Sequence, residues 1–182
     1  MQATLVTTNN ELQQILELQQ KNLADNIDAS EVQSQGFVTV QHTLEKLQQM
    51  HNIAPSVIIK DGEKVVAYAI TMPKECSQII PVLVPMFKVL ENINWKGKSL
   101  DQQRYYVMGQ ICVDKAYRGQ GLFDLLYHAH RDFYADKYDC IVTEIATRNL
   151  RSMRAHARVG FETIHTYLDE TDQWAVVLWD WR

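Results

Sequence analysis

The stretch VDKAYRGQGLFDLLYHAH, residues 113–130, places two glycines one residue apart where a strand-like segment ends and a helical pattern begins. The first backbone amides of a helix lack intrahelical partners, and together with the helix dipole they form a site for an anion. Glycines at positions 119 and 121 let a phosphate approach the backbone closely. The stretch therefore predicts a phosphate-binding turn between a strand and a helix.

Two familiar phosphate-binding patterns fit this turn poorly. A dinucleotide fingerprint requires a third glycine where the chain has Asp124, and a Walker loop requires a Gly-Lys-Ser/Thr sequence that is missing here. The turn therefore disfavours a Rossmann site and excludes a Walker loop.

Length and composition favour one soluble domain over residues 1–182, because 46% of the residues are hydrophobic and can form a sizeable core. A net charge of −4 argues against a nucleic-acid binder. No apolar stretch reaches the roughly 20 residues of a membrane span, and the first residues lack a signal-peptide pattern. We therefore expect a cytoplasmic protein without a membrane partner, with Cys76, Cys112 and Cys140 as reduced core thiols.

Strand and helix patterns alternate in the order β-α-α-β-β-(α)-β-α-β-α-β-β, which predicts an α/β (α+β mixed) sheet with helices on both faces. Asn9 or Asn10 is the expected cap of the first helix, and Asp61-Gly62 the expected hairpin turn. Residues 24–37 are a predicted polar loop, and residues 75–103 a helix-and-loop insertion that is a candidate lid. Predicted strands are 3–8, 56–60, 64–72, 104–113, 140–146, 161–169 and 173–181; the later predicted helices are 39–50, 82–93, 120–137 and 149–158.

A second motif follows the glycine turn: a strand carrying Glu144, then Asn149, then the sequence HARVGF. With both motifs, residues 107–162 resemble the GNAT superfamily of N-acetyltransferases. Arg118 and Gly121 match the phosphate-binding motif of that family. The later family motif is matched by Asn149, Ser152, His156, Gly160 and Phe161.

The resemblance implies a mostly antiparallel sheet of about seven strands with a splayed strand pair that binds acetyl-coenzyme A. No metal is expected, because His128 and His130 point apart on a helix and make a poor pair of ligands. The resemblance also implies that the backbone from residue 118 to residue 123 holds the diphosphate. The pantetheine arm would lie along the end of the strand at residues 111–113, and Asn149 would meet it from the other side. Phe123 stands where the family prefers Gly or Ala, so either the loop holds the phosphates differently or the ring turns into the core. The expected cofactor-binding residues are Ile111, Cys112, Val113, Arg118, Gly119, Gln120, Gly121, Leu122, Phe123, Asn149 and Ser152.

Two side chains carry the expected chemistry. Glu144 lies five residues before Asn149, where family members place a glutamate base, although a structural strand glutamate is the alternative. His156 stands where the family usually has a tyrosine acid, and it is either a proton donor or a packing histidine. Gln110 occupies a place where some relatives have a glutamate base, but an amide can only orient water or substrate.

Helical spacing places Asn149, Ser152 and His156 beside an apolar stripe of Leu150, Met153 and Ala157. Basic side chains form the other face of that helix, as a solvated surface or a grip on the 3′-phosphate of coenzyme A. Alternating tryptophans in the last strand are core or an intermolecular contact, so a homodimer is possible. The face consists of Arg151, Arg154 and Arg158, and Arg148 is a further candidate for the phosphate grip; the tryptophans are Trp174, Trp179 and Trp181.

The resulting hypothesis is an enzyme that moves an acetyl group from acetyl-coenzyme A to a primary amine by direct attack in a ternary complex. A small or amino-acid-like amine is favoured over a basic protein tail, with a peptide N-terminus as a further acceptor. The acceptor is expected to enter beside residues 25–37 and 75–103. The alternative is a non-catalytic acyl-coenzyme A binding module that regulates a partner, which Phe123 and Gln110 favour.

Overall fold

The computed structural model describes residues 1–23 and 40–182. The predicted polar loop at 24–37 lies outside the described residues. In the part of the chain that the structure describes, no helix is long and apolar enough to cross a membrane.

A seven-stranded sheet forms the centre of the fold, with strand order β1-β2-β3-β6-β7-β9-β8. All neighbouring strands of this sheet pair antiparallel except β6 and β7, which are parallel. This is the mixed, mostly antiparallel sheet that the family resemblance implied. The strands are β1 Ala3–Leu5, β2 Val57–Asp61, β3 Lys64–Met72, β4 Asn94–Trp95, β5 Lys98–Ser99, β6 Tyr105–Val113, β7 Cys140–Ala146, β8 Glu162–Leu168 and β9 Gln173–Asp180.

Helices cover both faces of the sheet. Leu12, Met50 and Leu90 come from three different helices and share one buried apolar cluster on one face. Leu122 and Leu126 belong to a separate buried cluster on the other face. The helices of the described residues are α1 Asn9–Lys21, α2 Leu44–Ile53, α3 Val84–Glu91, α4 Leu122–Tyr134 and α5 Leu150–Val159.

Two helix starts differ from the prediction because threonines provide the caps. The Thr8 hydroxyl accepts from the amide of Glu11 at 3.2 Å, and the Glu11 carboxylate accepts from the amide of Thr8 at 3.1 Å. This reciprocal capping box, rather than Asn9 or Asn10, begins α1. Helix α2 begins at Leu44 instead of residue 39, since the residue before it, at position 43, caps its first turn.

The buried face of α4 combines aliphatic residues, Leu122, Leu126 and Ala129, with aromatic ones. Phe133 has helical spacing from Leu122, Leu126 and Ala129, which predicts a buried position, but it is 41% exposed. Tyr127, His130 and Tyr134 are buried in its place, and the His130 ring is 2.8 Å from the hydroxyl of Tyr106. Aromatic side chains with a polar group can be buried where that group has a hydrogen-bond partner. The spacing of apolar residues in the sequence does not show where such partners lie. The apolar stripe predicted for α5 is wrong at Leu150, which is 64% exposed, whereas His156 of the same helix is buried.

The insertion at 75–103 is more structured than expected. Helix α3 confirms the predicted helix, but the predicted loop at 94–103 contains the hairpin of β4 and β5. Buried Phe87 and Leu90 pack the insertion onto the core cluster beneath it. The amide of Leu100 donates to the carbonyl of Ile93 at 2.7 Å and closes the hairpin segment.

The parallel strands β6 and β7 separate partway along their length. They pair only where residues 105–107 of β6 meet residues 140–142 of β7. The hydroxyl of Thr143 then reaches the carbonyl of Met108 at 3.0 Å, and beyond this contact the strands diverge. The divergence confirms the implied splayed pair, and it opens a gap in the sheet between the ends of the two strands.

Candidate active site

Two adjoining cavities lie at the gap between β6 and β7. The larger, of about 560 Å³, is bounded by the end of β6, the start of α4 and one side of α5. The smaller, of about 240 Å³, lies between the diverging strands. Ile111, Asn149 and Ser152 line both cavities. The glycine turn and Glu144 are therefore at opposite ends of one cleft.

The glycine turn forms an open cradle at the start of α4. Gly119 and Gly121 both have a φ of 78°, which favours glycine. Apart from the glycine itself and its two neighbours in the chain, no described residue has an atom within 4 Å of the position that a Cβ would take at either site. Gly121 is the N-cap residue of α4, and no side chain of the described residues caps its amides. The turn thus presents unpaired amides and free space to the larger cavity, which is what a diphosphate requires.

Basic side chains surround the same cavity. Arg118 donates to the carboxamide oxygen of Asn22 at 2.7 Å, which holds it against the end of α1. Arg158 forms two hydrogen bonds with Asp124, at 2.6 and 3.1 Å. Arg148 instead lines the smaller cavity, where it forms an ion pair with Asp172 at 2.5 Å. The basic residues that line the larger cavity are Arg118, Arg151, Arg154 and Arg158.

Nearly all residues expected to bind the cofactor line the larger cavity. Gln120 is the exception among the described lining residues, since its side chain points back to the carbonyl of Ala116 at 3.4 Å. Its backbone remains part of the turn. The residues of the expected set that do line the cavity are Ile111, Cys112, Val113, Arg118, Gly119, Gly121, Leu122, Phe123, Asn149 and Ser152.

Phe123 turns toward the interior of the protein. Its ring centroid is 5.1 Å from Tyr127 and 5.1 Å from His156, and both contacts are edge-on. The ring therefore packs among buried aromatic side chains while still lining the cavity. Of the two alternatives for this departure from the family motif, the structure favours the inward-turned ring.

His156 is a buried histidine with both ring nitrogens engaged. Its Nδ1 donates to the carbonyl of Ser152 at 2.8 Å, so Nε2 accepts a hydrogen bond from the hydroxyl of Tyr127 at 2.6 Å. Burial lowers the pKa of His156 to about 4. The ring is neutral at physiological pH, and this geometry favours the packing alternative over the proton donor.

Glu144 lines the smaller cavity and has an unusual proton affinity. Burial raises its pKa to about 7, and Asp169 adds to the increase. Tyr167 of β8 donates to Glu144 Oε1 at 2.8 Å, which opposes the increase by stabilising the carboxylate. A carboxyl group with a pKa near neutrality exchanges protons readily under physiological conditions.

Gln110 is buried in the wall of the smaller cavity. Its carbonyl oxygen accepts from Tyr68 and from Gln19, each at 2.6 Å. Its amide nitrogen donates to the carbonyl of Val40 at 2.9 Å. Gln110 therefore connects three separate segments of the chain where some relatives place a base.

The sequence matches the model of the Acetyltransferase (GNAT) family over residues 23–161. The chain belongs to this family. As a GNAT protein it is an acetyltransferase, and acetyl transfer is the chemistry to be located in the cleft. No curated protein matches the sequence significantly.

Solved GNAT structures share this fold at low sequence identity. The putative acetyltransferase yncA from Salmonella typhimurium with its cofactor acetyl-CoA has 13% identity and a TM-score of 0.63, covering 100% of this chain and 94% of that chain. A ribosomal-protein-alanine N-acetyltransferase from Brucella melitensis has 16% identity and a TM-score of 0.62, covering 99% of both. A spermidine N-acetyltransferase chimera from Vibrio cholerae and hSSAT has 13% identity and a TM-score of 0.59, covering 99% and 96%. At these identities the likeness shows the fold alone.

Several remaining expectations concern the surroundings of the GNAT cleft. Trp174 lines the smaller cavity, whereas Trp179 and Trp181 pack on Phe161 and Tyr106 with ring centroids 6.0 and 5.9 Å apart.

Within residues 1–23 and 40–182, no group of three His, Cys, Asp or Glu side chains is placed to hold a metal. Among the described lining residues, none comes from the insertion at 75–103, so the structure does not place that candidate lid at the cleft.

Sequence reasoning missed three residues that hydrogen-bond to the lining of the cleft, directly or through one partner: Tyr167, Gln19 and His42. Tyr167 contacts Glu144 from a strand that is not its neighbour in the sheet. Gln19 and His42 contact each other at 2.8 Å and extend the network of Gln110. The partners in each of these contacts are far apart in the sequence, so no short motif predicts them.

Proposed function

We propose that this protein transfers the acetyl group of acetyl-CoA to a primary amine by direct attack in a ternary complex, with Glu144 as the base. The observation that carries the proposal is the joined pair of cavities. An anion cradle lies at one end, a carboxyl group of raised pKa lies at the other, and Ile111, Asn149 and Ser152 are shared between them.

The larger cavity suits acetyl-CoA. Its turn offers unpaired amides and free space at Gly119 and Gly121 for the diphosphate, and its arginines supply positive charge. The end of β6 has no ladder partner on the β7 side, so its backbone is open to the amide groups of the pantetheine arm. When bound there, acetyl-CoA supplies the thioester that the amine attacks.

Glu144 suits the removal of a proton from the acceptor. An alkylamine has a pKa of about 10.4 and is mostly protonated at neutral pH, so attack requires a group that accepts its proton. The Glu144 carboxylate lines the smaller cavity and has a pKa of about 7. The coenzyme thiol has an ordinary pKa of about 8.5 and leaves without a strong acid. His156 then has no need to act as the donor.

The acceptor class follows from the smaller cavity. Glu144 lines it together with Trp174 and other apolar residues, while Asp172 is already paired with Arg148. A carboxyl group that has no ion pair among the described residues, set in an apolar wall, suits a primary amine on a short apolar stem. Its volume of about 240 Å³ favours one small amine or a single terminal residue. The two structural neighbours named for spermidine and for a protein alanine represent these two kinds of acceptor. We infer a small primary amine, with a peptide N-terminus as the second class.

The non-catalytic alternative loses both of its supports. Phe123 packs inward and leaves the cradle open, and Gln110 is engaged in a hydrogen-bond network. Neither departure from the family motif therefore counts against turnover.

Thiol release from acetyl-CoA tests the proposal. The acceptor panel is spermidine, a peptide that begins with alanine, free amino acids and simple alkylamines. We expect acceptor-dependent release that falls by about 10²- to 10⁴-fold in kcat for Glu144→Gln, because a positioned base contributes that much. Acetyl-CoA affinity should stay within about twofold, as Glu144 does not line the larger cavity.

Glu162→Gln is the matched control, since Glu162 is exposed at the start of β8. Full activity of Glu144→Gln would remove the base assignment. Acetyl-CoA binding without thiol release for any amine would point to the regulatory module instead.

A further inference from the structure

We propose that Gln110 is a positioning residue whose carboxamide holds residues 40–43 against β6 and thereby sets one wall of the acceptor cavity. The inference rests on the proposed function only in identifying the smaller cavity as the acceptor site. The docking of residues 40–43 is a property of the fold and is testable without any acceptor.

The network around Gln110 uses each polar atom of the carboxamide. The oxygen accepts from Tyr68 of β3 and Gln19 of α1, and the nitrogen donates to the carbonyl of Val40. Gln19 continues the network to the next segment. Its oxygen accepts from the amide of His42 at 2.9 Å, and its nitrogen lies 2.8 Å from His42 Nδ1.

The roles of the donors and acceptors fit only one protonation state. Gln19 donates through its nitrogen, so His42 Nδ1 must accept and the ring must be neutral. Burial and, to a smaller extent, the charge of Lys46 lower the pKa of His42 to about 4, so the ring stays neutral at physiological pH. A buried network whose groups all find partners fixes a single arrangement of its segments.

An amide at position 110 performs this task, and a carboxylate does not. Glutamate has nearly the same shape and keeps the oxygen that accepts from Tyr68 and Gln19. It has no N–H for the carbonyl of Val40, however, and it would place a negative charge against that carbonyl oxygen. Gln110 is therefore suited to holding the segment, and a glutamate at this position would release it.

The contact lies at the acceptor side of the cleft. Val40 and Gln110 both line the smaller cavity, and neither is among the described residues that line the larger one. Loss of the contact should change the binding of the amine and leave the binding of acetyl-CoA alone. This separation distinguishes a positioning role from a general contribution to stability.

Hydrogen–deuterium exchange of the full chain tests the docking. In Gln110→Glu we expect the peptide that contains the His42 amide to exchange about tenfold faster. Loss of one ordinary hydrogen bond shifts the local opening equilibrium of a segment by roughly that factor. Gln110→Met removes the bond to Val40 together with those from Tyr68 and Gln19, without adding charge, and should give at least the same increase. This second variant keeps the test decisive if the glutamate variant does not fold. Unchanged exchange at residues 40–43 in the folded variants would overturn the proposal.

Gln14→Glu is the matched control. Gln14 lies on α1, as Gln19 does. Its side chain donates to the backbone carbonyl of Glu63 at 3.1 Å and accepts from the amide of Val65 at 2.8 Å. It is not among the described lining residues of either cavity. The same chemical change at this position should leave exchange at residues 40–43 as it is in the wild type.

Steady-state kinetics test the wall itself, with the better of spermidine and the alanine-starting peptide as acceptor. We expect Gln110→Glu to raise the acceptor KM at least about fivefold and to leave the acetyl-CoA KM within about twofold. Faster exchange with both KM values unchanged would show that residues 40–43 do not form a wall of the acceptor cavity. If the wild type acetylates neither amine, the proposed function fails for these acceptors, and the exchange result still decides whether Gln110 docks residues 40–43.

Discussion

At the scale of single residues, the chemistry of the cleft depends on one carboxyl group and one hydroxyl. Burial makes Glu144 a weaker acid than usual, and the hydrogen bond from Tyr167 offsets part of that effect. Burial raises the pKa of Tyr167 itself, so its hydroxyl stays protonated and remains a donor. The two residues therefore set the pH at which the proposed base is ionised.

Tyr167→Phe should move the acidic limb of the pH–rate profile to higher pH. Glu144 must be ionised to accept a proton, so the rate falls as the pH drops through about 7. Removing the hydroxyl removes an interaction that lowers the Glu144 pKa, so the pKa rises. A hydrogen bond to a charged group corresponds to a shift of about one pH unit. Measurement of kcat from pH 5 to 9 checks the shift.

Tyr138→Phe serves as the control, since Tyr138 packs on Tyr106 and Tyr134 away from both cavities. An acidic limb of Tyr167→Phe that stays in place, or moves to lower pH, would contradict the assignment of Glu144 as the titrating base.

Residues within the two motifs were within reach of the sequence, because family spacing placed Glu144, Asn149 and Ser152. The structure brings all three to the cleft. Tyr167 and Gln19 were beyond reach, since they meet their partners across 23 and 91 residues of the chain. Such contacts depend on how strands and helices pack, which no local pattern encodes.

At the scale of elements, the start of α4 is the structural basis for cofactor binding. Its first amides face the larger cavity because Gly119 and Gly121 turn the chain through positive φ and add no side chain. Gly97 in the β4–β5 hairpin has a φ of 79° and equally open surroundings, but it is not among the described residues that line a cavity. The two turns therefore have similar backbone geometry, but only the turn at Gly119 and Gly121 borders one of the two cavities.

Gly121→Ala should weaken acetyl-CoA binding, whereas Gly97→Ala should not. Both substitutions force alanine into left-handed backbone and should lower the free energy of unfolding by a similar amount, about 1–2 kcal/mol. Only the methyl group at 121 takes space that the diphosphate would use. We expect at least about a tenfold loss of affinity by calorimetry, or 1.4 kcal/mol. Equal affinities for the two variants would show that the turn does not hold the diphosphate.

Most element boundaries followed from periodicity. Strand β7 spans Cys140–Ala146, as predicted, and the hairpin turn at Asp61-Gly62 is confirmed. Strands β4 and β5 were missed because two residues are too few to show an alternation. The start of α1 was misplaced because a cap is decided by reciprocal hydrogen bonds, and several neighbouring residues had suitable side chains.

At the scale of the whole molecule, the divergence of β6 from β7 converts a sheet into a binding cleft. The order of elements predicted the mixed sheet, and the family resemblance implied the divergence. The division into two cavities was not predictable, because it depends on where side chains from α5, β6 and β7 meet. The single-domain organisation and a homodimer stay predictions.

A crystal structure of the protein with coenzyme A tests the central claim most directly. We predict the diphosphate on the backbone amides of residues 119–123. The thiol should lie beside Ile111, Asn149 and Ser152, directed toward Glu144 in the smaller cavity. Coenzyme A bound elsewhere, or a thiol directed away from the smaller cavity, would contradict the joined cleft on which the proposed acetyl transfer depends.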